Sequence, residues 1–313
     1  MPEGGCNPHK PRGGLQREGQ GIQDERTDGS DLRIELTGEF SRLLGRGYEA
    51  SVFAMSAKLA LRVEQIPQQN GEIAAAAVVA ARSMGLNVPT VFQPCRWDER
   101  DALLMERLDP LNLLTRLGRR PYRIQLVGRL LASLMTTLHQ VKSAPGVPSL
   151  IDVLAERAHR DPAKSERFGP LLQLARSQAG TSSLLHLDLN PANLLMRPGT
   201  RDWVLVDWCG AAVGDPEADV ARTLSTIAAG RAPSLWGASA FRWAHPASRG
   251  LLARSFFCSY VGRRQVPSDR LTQWYDAWTL IWPTQESIPR LEELCADPFA
   301  FRRFSARSHP QAR

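Results

Sequence analysis

The stretch from Leu184 to Asp207 reads LLHLDLNPANLLMRPGTRDWVLVD, and the predicted fold depends on it. His186, Asp188 and Asn193 follow the spacing H-x-D-x4-N, and the apolar run VLV ends at Asp207. An aspartate in this position can take a proton from a hydroxyl group, while an asparagine and a second aspartate are hard oxygen ligands that suit Mg2+ beside phosphates. The pattern predicts a phosphoryl-transfer site. The alternative is a polar loop followed by a strand-end carboxylate without a catalytic role.

A glycine-containing segment lies upstream. Residues 45–52, GRGYEASV, have the pattern G-x-G-x-x-A-x-V, which is close to a phosphate-binding loop. Gly45 and Gly47 would let the backbone approach triphosphate oxygens, and Val52 would cover one face of the adenine. Ala50 replaces the third glycine of the usual pattern, so an ordinary hairpin is the alternative.

The next apolar run, LALRV, carries Arg62. A cation on this strand would bind the α- and β-phosphates, and arginine can grip phosphate with two nitrogens. Lys58, nearer the turn, is a weaker candidate. Glu72, in the first turn of an Ala-rich helix, is expected to pair with Arg62 and to direct it toward the nucleotide. Glu72 as a favourable charge at the helix N-terminus is the alternative.

Five short apolar runs between residues 39 and 108 predict an antiparallel sheet. Longer 3.6-periodic patterns follow it, of which one runs from Tyr122 to Val141 and contains His139, expected to be a helix-end residue and not a ligand. Asp109-Pro110 marks a hinge, at which backbone groups from Glu106 to Leu108 would meet the adenine edge. We therefore expect a leader over residues 1–36, disordered because it is rich in Gly, Gln and Arg. A nucleotide-binding lobe over 37–108, a catalytic and acceptor-binding lobe over 109–300 and a flexible tail over 301–313 would follow.

Composition excludes several classes of protein. The chain has 313 residues, a hydrophobic content of 43% and no apolar run of membrane-spanning length, so neither a membrane span nor a signal peptide is expected. Five cysteines without a C-x-x-C pair are typical of a cytoplasmic protein. The net charge of +7 comes from scattered arginines, and only four of the 39 basic residues are lysines, which does not indicate nucleic-acid binding.

After Asp207 the sequence continues to GDPEADVA, in which Asp219 is a candidate for a supporting role. The segments HLDLNPANLL, VLVDW and GDPEADVA resemble those of the aminoglycoside phosphotransferase/choline kinase family of small-molecule kinases. The resemblance covers about residues 39 to 285. It implies an α+β, bilobal, protein-kinase-like fold, with an antiparallel sheet and one helix in the small lobe and a mainly helical large lobe.

The resemblance also implies roles for individual residues. Asp188 would be the catalytic base, Asn193 and Asp207 would hold Mg2+, and ATP (or GTP) would be the phosphate donor. His186 would be structural, and Asp219 would support the catalytic loop through backbone hydrogen bonds. Arg62 stands in the usual lysine position, and Ala50 replaces a loop glycine.

The acceptor is expected to be a hydroxyl group of a small molecule, which would be an aminoglycoside or another antibiotic or metabolite, and the oligomeric state is left open. Residues 215–313 contain more arginines than acidic residues, whereas a polycationic aminoglycoside would need carboxylates. Trp274, Trp278 and Trp282 recur every four residues, which indicates either core packing or an aromatic wall for a sugar-like or quaternary-ammonium acceptor. A nucleotide-binding pseudokinase, a choline- or sugar-type kinase and a protein kinase are the alternatives. The seven residues between Asp207 and Asp215 leave little room for an activation loop.

Overall fold

The structure is a computed structural model that describes residues 34–36, 42–46, 50–65, 70–109, 111–160, 162, 165–177, 182–230, 246–266, 268–281 and 290–296. Most of the expected leader, the expected tail, Gly47, Pro110 and Trp282 lie outside the described residues.

A sheet with strand order β1-β5-β6-β4-β3-β2 forms the small lobe. Its strands are β1 Ile34–Leu36, β2 Arg42–Arg46, β3 Ala50–Ala54, β4 Leu59–Glu64, β5 Val91–Trp97 and β6 Arg100–Glu106. Strands β2 to β6 pair antiparallel, which confirms the five predicted strands. β1 extends the sheet by pairing in parallel with β5, although the expected leader included residues 34–36. A three-residue strand among polar residues carries too little periodicity to be predicted.

The two faces of strand β4 have different surroundings, because successive side chains point to opposite faces of a sheet. Leu61 and Val63 are buried in a small apolar cluster with Cys95 and Ala102. The intervening Arg62 therefore lies on the other face, where register pairs it with Val52 of β3 and with Leu103 of β6. Helix α1, Asn70–Ser83, contacts β5 and β6 and belongs to the main core.

The large lobe is mainly helical. Its helices are α2 Leu113–Arg119, α3 Ile124–Leu138, α4 Leu150–Arg160, α5 Ser165–Arg176, α6 Pro216–Ala229, α7 Pro246–Val261, α8 Ser268–Thr279 and α9 Leu291–Ala296. Its short strands are β7 Ser183–Leu185, β8 Leu194–Met196, β9 Trp203–Leu205 and β10 Ala212–Gly214. β7 pairs with β10, and β8 pairs with β9. The connection between β7 and β8 contains the H-x-D-x4-N residues, His186 to Asn193.

The strand expected to end at Asp207 ends two residues earlier, at Leu205. Asp207 has a φ of 69°, in the left-handed region, which a β-strand does not accommodate. Helix α3 is likewise shorter than its periodic pattern, because the 3-10 turn Pro121–Arg123 precedes it and His139 caps its end.

The tryptophans of α8 pack in the core. Trp274 and Trp278 are fully buried, and the Trp278 indole donates to the backbone oxygen of Ala218 in α6. Core packing is therefore the correct interpretation for these two residues. None of the helices in the described residues combines the length and the apolarity that a membrane crossing requires.

Candidate active site

The loop between β7 and β8 contains a strained residue. Leu187 has a φ of 60°, a left-handed conformation that a branched side chain rarely adopts. Its amide donates to Asp219 Oδ1 at 2.8 Å, and its carbonyl accepts from Arg222 Nε at 3.3 Å. Both groups come from α6, so this helix fixes the peptide that immediately precedes Asp188.

Asp188 and Asn193 lie in direct contact. The Asn193 Nδ2 donates to Asp188 Oδ2 at 2.7 Å and to the Asp188 backbone oxygen at 2.8 Å. Because both contacts use the nitrogen of the amide, its Oδ1 is left as the atom that can bind a cation. The Val206 amide donates to the Asn193 backbone oxygen at 2.9 Å, which connects the loop to the residue before Asp207.

His186 is buried and supports the loop from within. Its Nε2 lies 3.1 Å from the Val206 carbonyl oxygen, and its Nδ1 accepts from the Asp188 amide at 3.3 Å. A carbonyl can only accept and an amide can only donate, so the contacts assign a donor role to Nε2 and an acceptor role to Nδ1. The ring also packs edge-on against Trp208, with centroids 4.7 Å apart. These contacts suit the expected structural role.

Asp219 is buried and accepts hydrogen bonds at both carboxylate oxygens. Oδ2 accepts from the His186 amide at 2.9 Å, and Oδ1 accepts from the Leu187 amide. Burial opposes the negative charge, but hydrogen bonds from His139 and from the His186 backbone outweigh it and lower the pKa of Asp219. An ionised carboxylate therefore holds the amides of His186 and Leu187, which immediately precede Asp188. These are contacts that the predicted supporting role of Asp219 would use.

His139 is a site residue whose contacts the sequence did not reveal. We expected only a helix-end residue, and it does end α3, but its Nε2 lies 3.3 Å from Asp219 Oδ2 and its Nδ1 lies 2.7 Å from the Tyr260 hydroxyl. Burial lowers the pKa of His139, which therefore stays neutral, donating to Asp219 and accepting from Tyr260. The sequence offered one signal for these contacts, which is that His139 is a polar residue at the end of a helix with an apolar face.

Asp207 and Asn193 offer oxygens that suit Mg2+. The Asp207 side chain is 46% exposed, so its carboxylate is open to the cleft. Among the described residues, no group of three or more His, Cys, Asp or Glu side chains is placed to hold a metal by itself. A carboxylate and one amide oxygen, completed by phosphate oxygens and water, form the sparse ligand set that Mg2+ prefers.

Asp188 is half-buried, and its electrostatic surroundings suit a proton acceptor. Burial raises its pKa, and the nearby Asp207 carboxylate adds to this rise. The positive charge of Arg222 and the hydrogen bond from Asn193 oppose the rise.

In the small lobe, Arg62 contacts carboxylates other than the expected one. Its Nη1 forms an ion pair with Glu64 Oε1, and its Nη2 lies 3.8 Å from Asp207 Oδ1. The expected partner, Glu72, is exposed in the first turn of α1. The expected pairing is therefore wrong, because Glu64 lies two residues along the same strand face and is already within reach. The contact with Asp207 does bring Arg62 to a candidate Mg2+ ligand of the large lobe.

The other candidate nucleotide-binding residues described on the sheet, Val52 and Gly45, are adjacent. Val52 pairs with Arg62 on one side and with Gly45 on the other. A Cβ added at Gly45 would meet nothing within 4 Å, so open space lies above this strand.

At the hinge, the amides of Arg107 and Asp109 donate to backbone carbonyls of Lys58 and Met196. Leu108 is buried between them, and its amide donates to no backbone carbonyl among the described residues. An amide at this position could donate to a nitrogen of an adenine ring.

The Glu106 side chain also has a role at the hinge, although only its backbone was expected to matter. Its carboxylate accepts from Arg197 Nε at 2.9 Å and from the Thr90 amide at 2.8 Å. Burial opposes the charge, but these hydrogen bonds outweigh it and lower the pKa of Glu106. Because Arg197 follows β8 in the large lobe, the ion pair connects the two lobes.

With this geometry described, comparison with known proteins identifies the family. The model of the phosphotransferase enzyme family (APH) matches residues 42–254, more than half of the chain. The chain belongs to this phosphotransferase family. No curated protein matches the sequence significantly.

Solved structures show that this phosphotransferase has the expected fold. A choline/ethanolamine kinase family protein from Mesorhizobium loti matches with a TM-score of 0.50 and 14% identity, covering 88% of this chain and 90% of that one. Aminoglycoside-3'-phosphotransferase of type VIII matches with a TM-score of 0.51 and 19% identity, covering 79% and 93%. Aminoglycoside phosphotransferase APH(4)-Ia matches with a TM-score of 0.51 and 17% identity, covering 85% and 91%. The chain is a small-molecule kinase with a bilobal, protein-kinase-like fold.

Proposed function

We propose that this phosphotransferase transfers the γ-phosphate of ATP to a hydroxyl group of a small molecule, with Asp188 as the catalytic base. The contact between Asn193 Nδ2 and Asp188 Oδ2, at 2.7 Å, carries this proposal. It fixes the carboxylate beside an amide oxygen that can bind a cation, and Asp207 lies across the cleft from Arg62.

In this proposal Asp188 orients the acceptor hydroxyl and takes its proton as the oxygen attacks the γ-phosphorus. The bond between the γ-phosphorus and the bridging oxygen breaks, and its electron pair leaves with ADP. Asp219, through the amides of His186 and Leu187, keeps Asp188 in position while the proton moves. The protein thus contributes mainly by positioning the reactants.

Asn193 and Asp207 would hold Mg2+, which supplies positive charge to the phosphate oxygens when bound. Arg62 would contact the same phosphates from the small lobe. Val52 would cover one face of the adenine, and the Leu108 amide would donate to its edge. A mutant of APH(4)-Ia that matches this chain with a TM-score of 0.51 was solved in a ternary complex with AMP-PNP and hygromycin B, which supports the use of a nucleotide and a small-molecule acceptor.

An antibiotic or a related metabolite is the proposed acceptor. The helices α7 and α8 carry more arginines than aspartates over residues 246–281, so a polycationic acceptor would find little charge complementarity there. We therefore place neutral and weakly charged hydroxyl compounds first among the acceptors, with choline- and sugar-like compounds included.

The test measures ADP release by the purified full-length chain with Mg2+, ATP and a panel of hydroxyl compounds, next to direct titration of ATP binding. We expect Asp188→Asn to lower transfer by about 10²- to 10⁴-fold, the usual contribution of a general base, while ATP still binds. Equal rates for Asp188→Asn and the wild type would overturn the mechanism.

A further inference from the structure

The partner of Arg62 lies on its own strand. Arg62 and Glu64 are two residues apart in β4, so their side chains leave the same face of the sheet. The Glu64 side chain is 3% exposed and the Arg62 side chain 11% exposed, and the two form an ion pair. The contact is thus nearly withdrawn from water.

A buried carboxylate without a partner is costly, so Glu64 needs the cation that Arg62 supplies. The ion pair also constrains the orientation of Arg62. Because a guanidinium is planar and rigid, a contact at Nη1 fixes where its other nitrogens point. Here Nη2 points across the cleft and lies 3.8 Å from Asp207 Oδ1. Glu64 therefore sets the direction in which Arg62 presents its remaining donors.

We propose that Glu64 is the positioning residue for Arg62 as a phosphate-binding group, so that strand β4 alone orients this group and helix α1 does not. This inference rests on the proposed function, since it requires that Arg62 meets the phosphates of the nucleotide. Arginine suits this arrangement because it has five donors, and one contact to Glu64 leaves others for phosphate oxygens.

Independence from α1 has a functional consequence. When a strand cation is oriented by a carboxylate on a separate helix, movement of that helix can disable the site. Here both partners belong to one strand that pairs with β3 and β6 on its two sides. The phosphate-binding group is therefore preformed.

The experiment compares ATP and adenosine binding, with Mg2+, to the full-length wild type, Glu64→Gln and Glu72→Gln. Adenosine lacks phosphates, so it reports whether the pocket is intact. We expect Glu64→Gln to weaken ATP binding about tenfold, the size of one charge-assisted hydrogen bond, with adenosine binding unchanged. Glu72→Gln, the matched control on α1, should bind both ligands like the wild type.

A second variant keeps the test decisive if Glu64→Gln does not fold. Glu64→Asp retains the buried charge but shortens the side chain, so it should fold and weaken ATP binding by a few fold, again without affecting adenosine.

Wild-type ATP affinity in both Glu64 variants would overturn the inference, as would equal losses for ATP and adenosine, or an ATP-specific loss in Glu72→Gln. In each of these cases nucleotide binding by the wild type would leave the proposed function standing. Failure of the wild type to bind ATP would overturn both.

Discussion

The Nε2 atom of His139 lies 3.3 Å from Oδ2 of Asp219, and both side chains are fully buried. His139 caps the end of α3, whereas Asp219 lies in the first turn of α6 and holds the amides of His186 and Leu187. The His139 contact with Tyr260 adds α7 to this arrangement. Three helices thus meet behind the loop that carries Asp188. We expect changes that destabilise this junction to disturb the position of Asp188.

The first prediction concerns Asp219. An asparagine at this position has only one oxygen, so its amide nitrogen would face one of the two backbone donors that the carboxylate accepts. We expect Asp219→Asn to lower the free energy of unfolding by about 3 kcal/mol, because a buried charge-assisted hydrogen bond is lost and a donor is left unsatisfied. Urea unfolding measures this loss. Asp202→Asn, at an exposed turn residue, is the control and should change stability by less than about 0.5 kcal/mol. A comparable loss in both variants would contradict the prediction.

The second prediction separates the two contacts of His139. Tyr260→Phe removes only the hydroxyl that donates to Nδ1 and should cost about 1 kcal/mol. His139→Ala leaves Asp219 without a side-chain donor and opens a cavity in the core, so it should cost about 3 kcal/mol and also lower kcat. Chemical denaturation and steady-state kinetics measure both. If Tyr260→Phe proved as costly as His139→Ala, the contact with Asp219 would not be the more important one.

The third prediction concerns pH. Burial, together with the hydrogen bond and the charge of Asp215, raises the pKa of the buried Glu217 to about 8. In the unfolded chain the pKa of a glutamate is about 4.3, so the folded state binds this proton more tightly. Its contribution to stability is complete below pH 4.3 and is lost as pH rises toward 8.

We therefore expect the free energy of unfolding to fall by about 1 to 2 kcal/mol between pH 6 and pH 8, as measured by urea unfolding. Asp215 does not add to this change, because its pKa is lowered and it stays ionised in that range. Glu217→Gln has no titrating proton at this position, so this loss should be absent from it. The buried His139, whose pKa is lowered, adds a gain of less than about 1 kcal/mol to both proteins as pH rises through 6.5, the usual pKa of a histidine in an unfolded chain. A wild type with the same pH dependence as Glu217→Gln would show that Glu217 does not hold the extra proton.

The sequence by itself determined the local arrangement of the loop that carries Asp188. H-x-D-x4-N is local, so its spacing placed Asn193 against Asp188, and GDPEADVA placed Asp219 on a helix whose capping signal is also local. The five antiparallel strands and the periodic helices could be predicted for the same reason. Their apolar patterns repeat within a few residues.

Only the tertiary structure decided which charged and polar side chains form pairs. Glu64 and Glu72 are both close to Arg62 in sequence, and only the strand geometry selects Glu64. His139 and Tyr260 are separated by 121 residues, and Arg197 and Glu106 by 91, so no local pattern could reveal these contacts. Buried polar groups must find partners wherever the folded chain brings them, and those distances become short only when the helices and the sheet pack together.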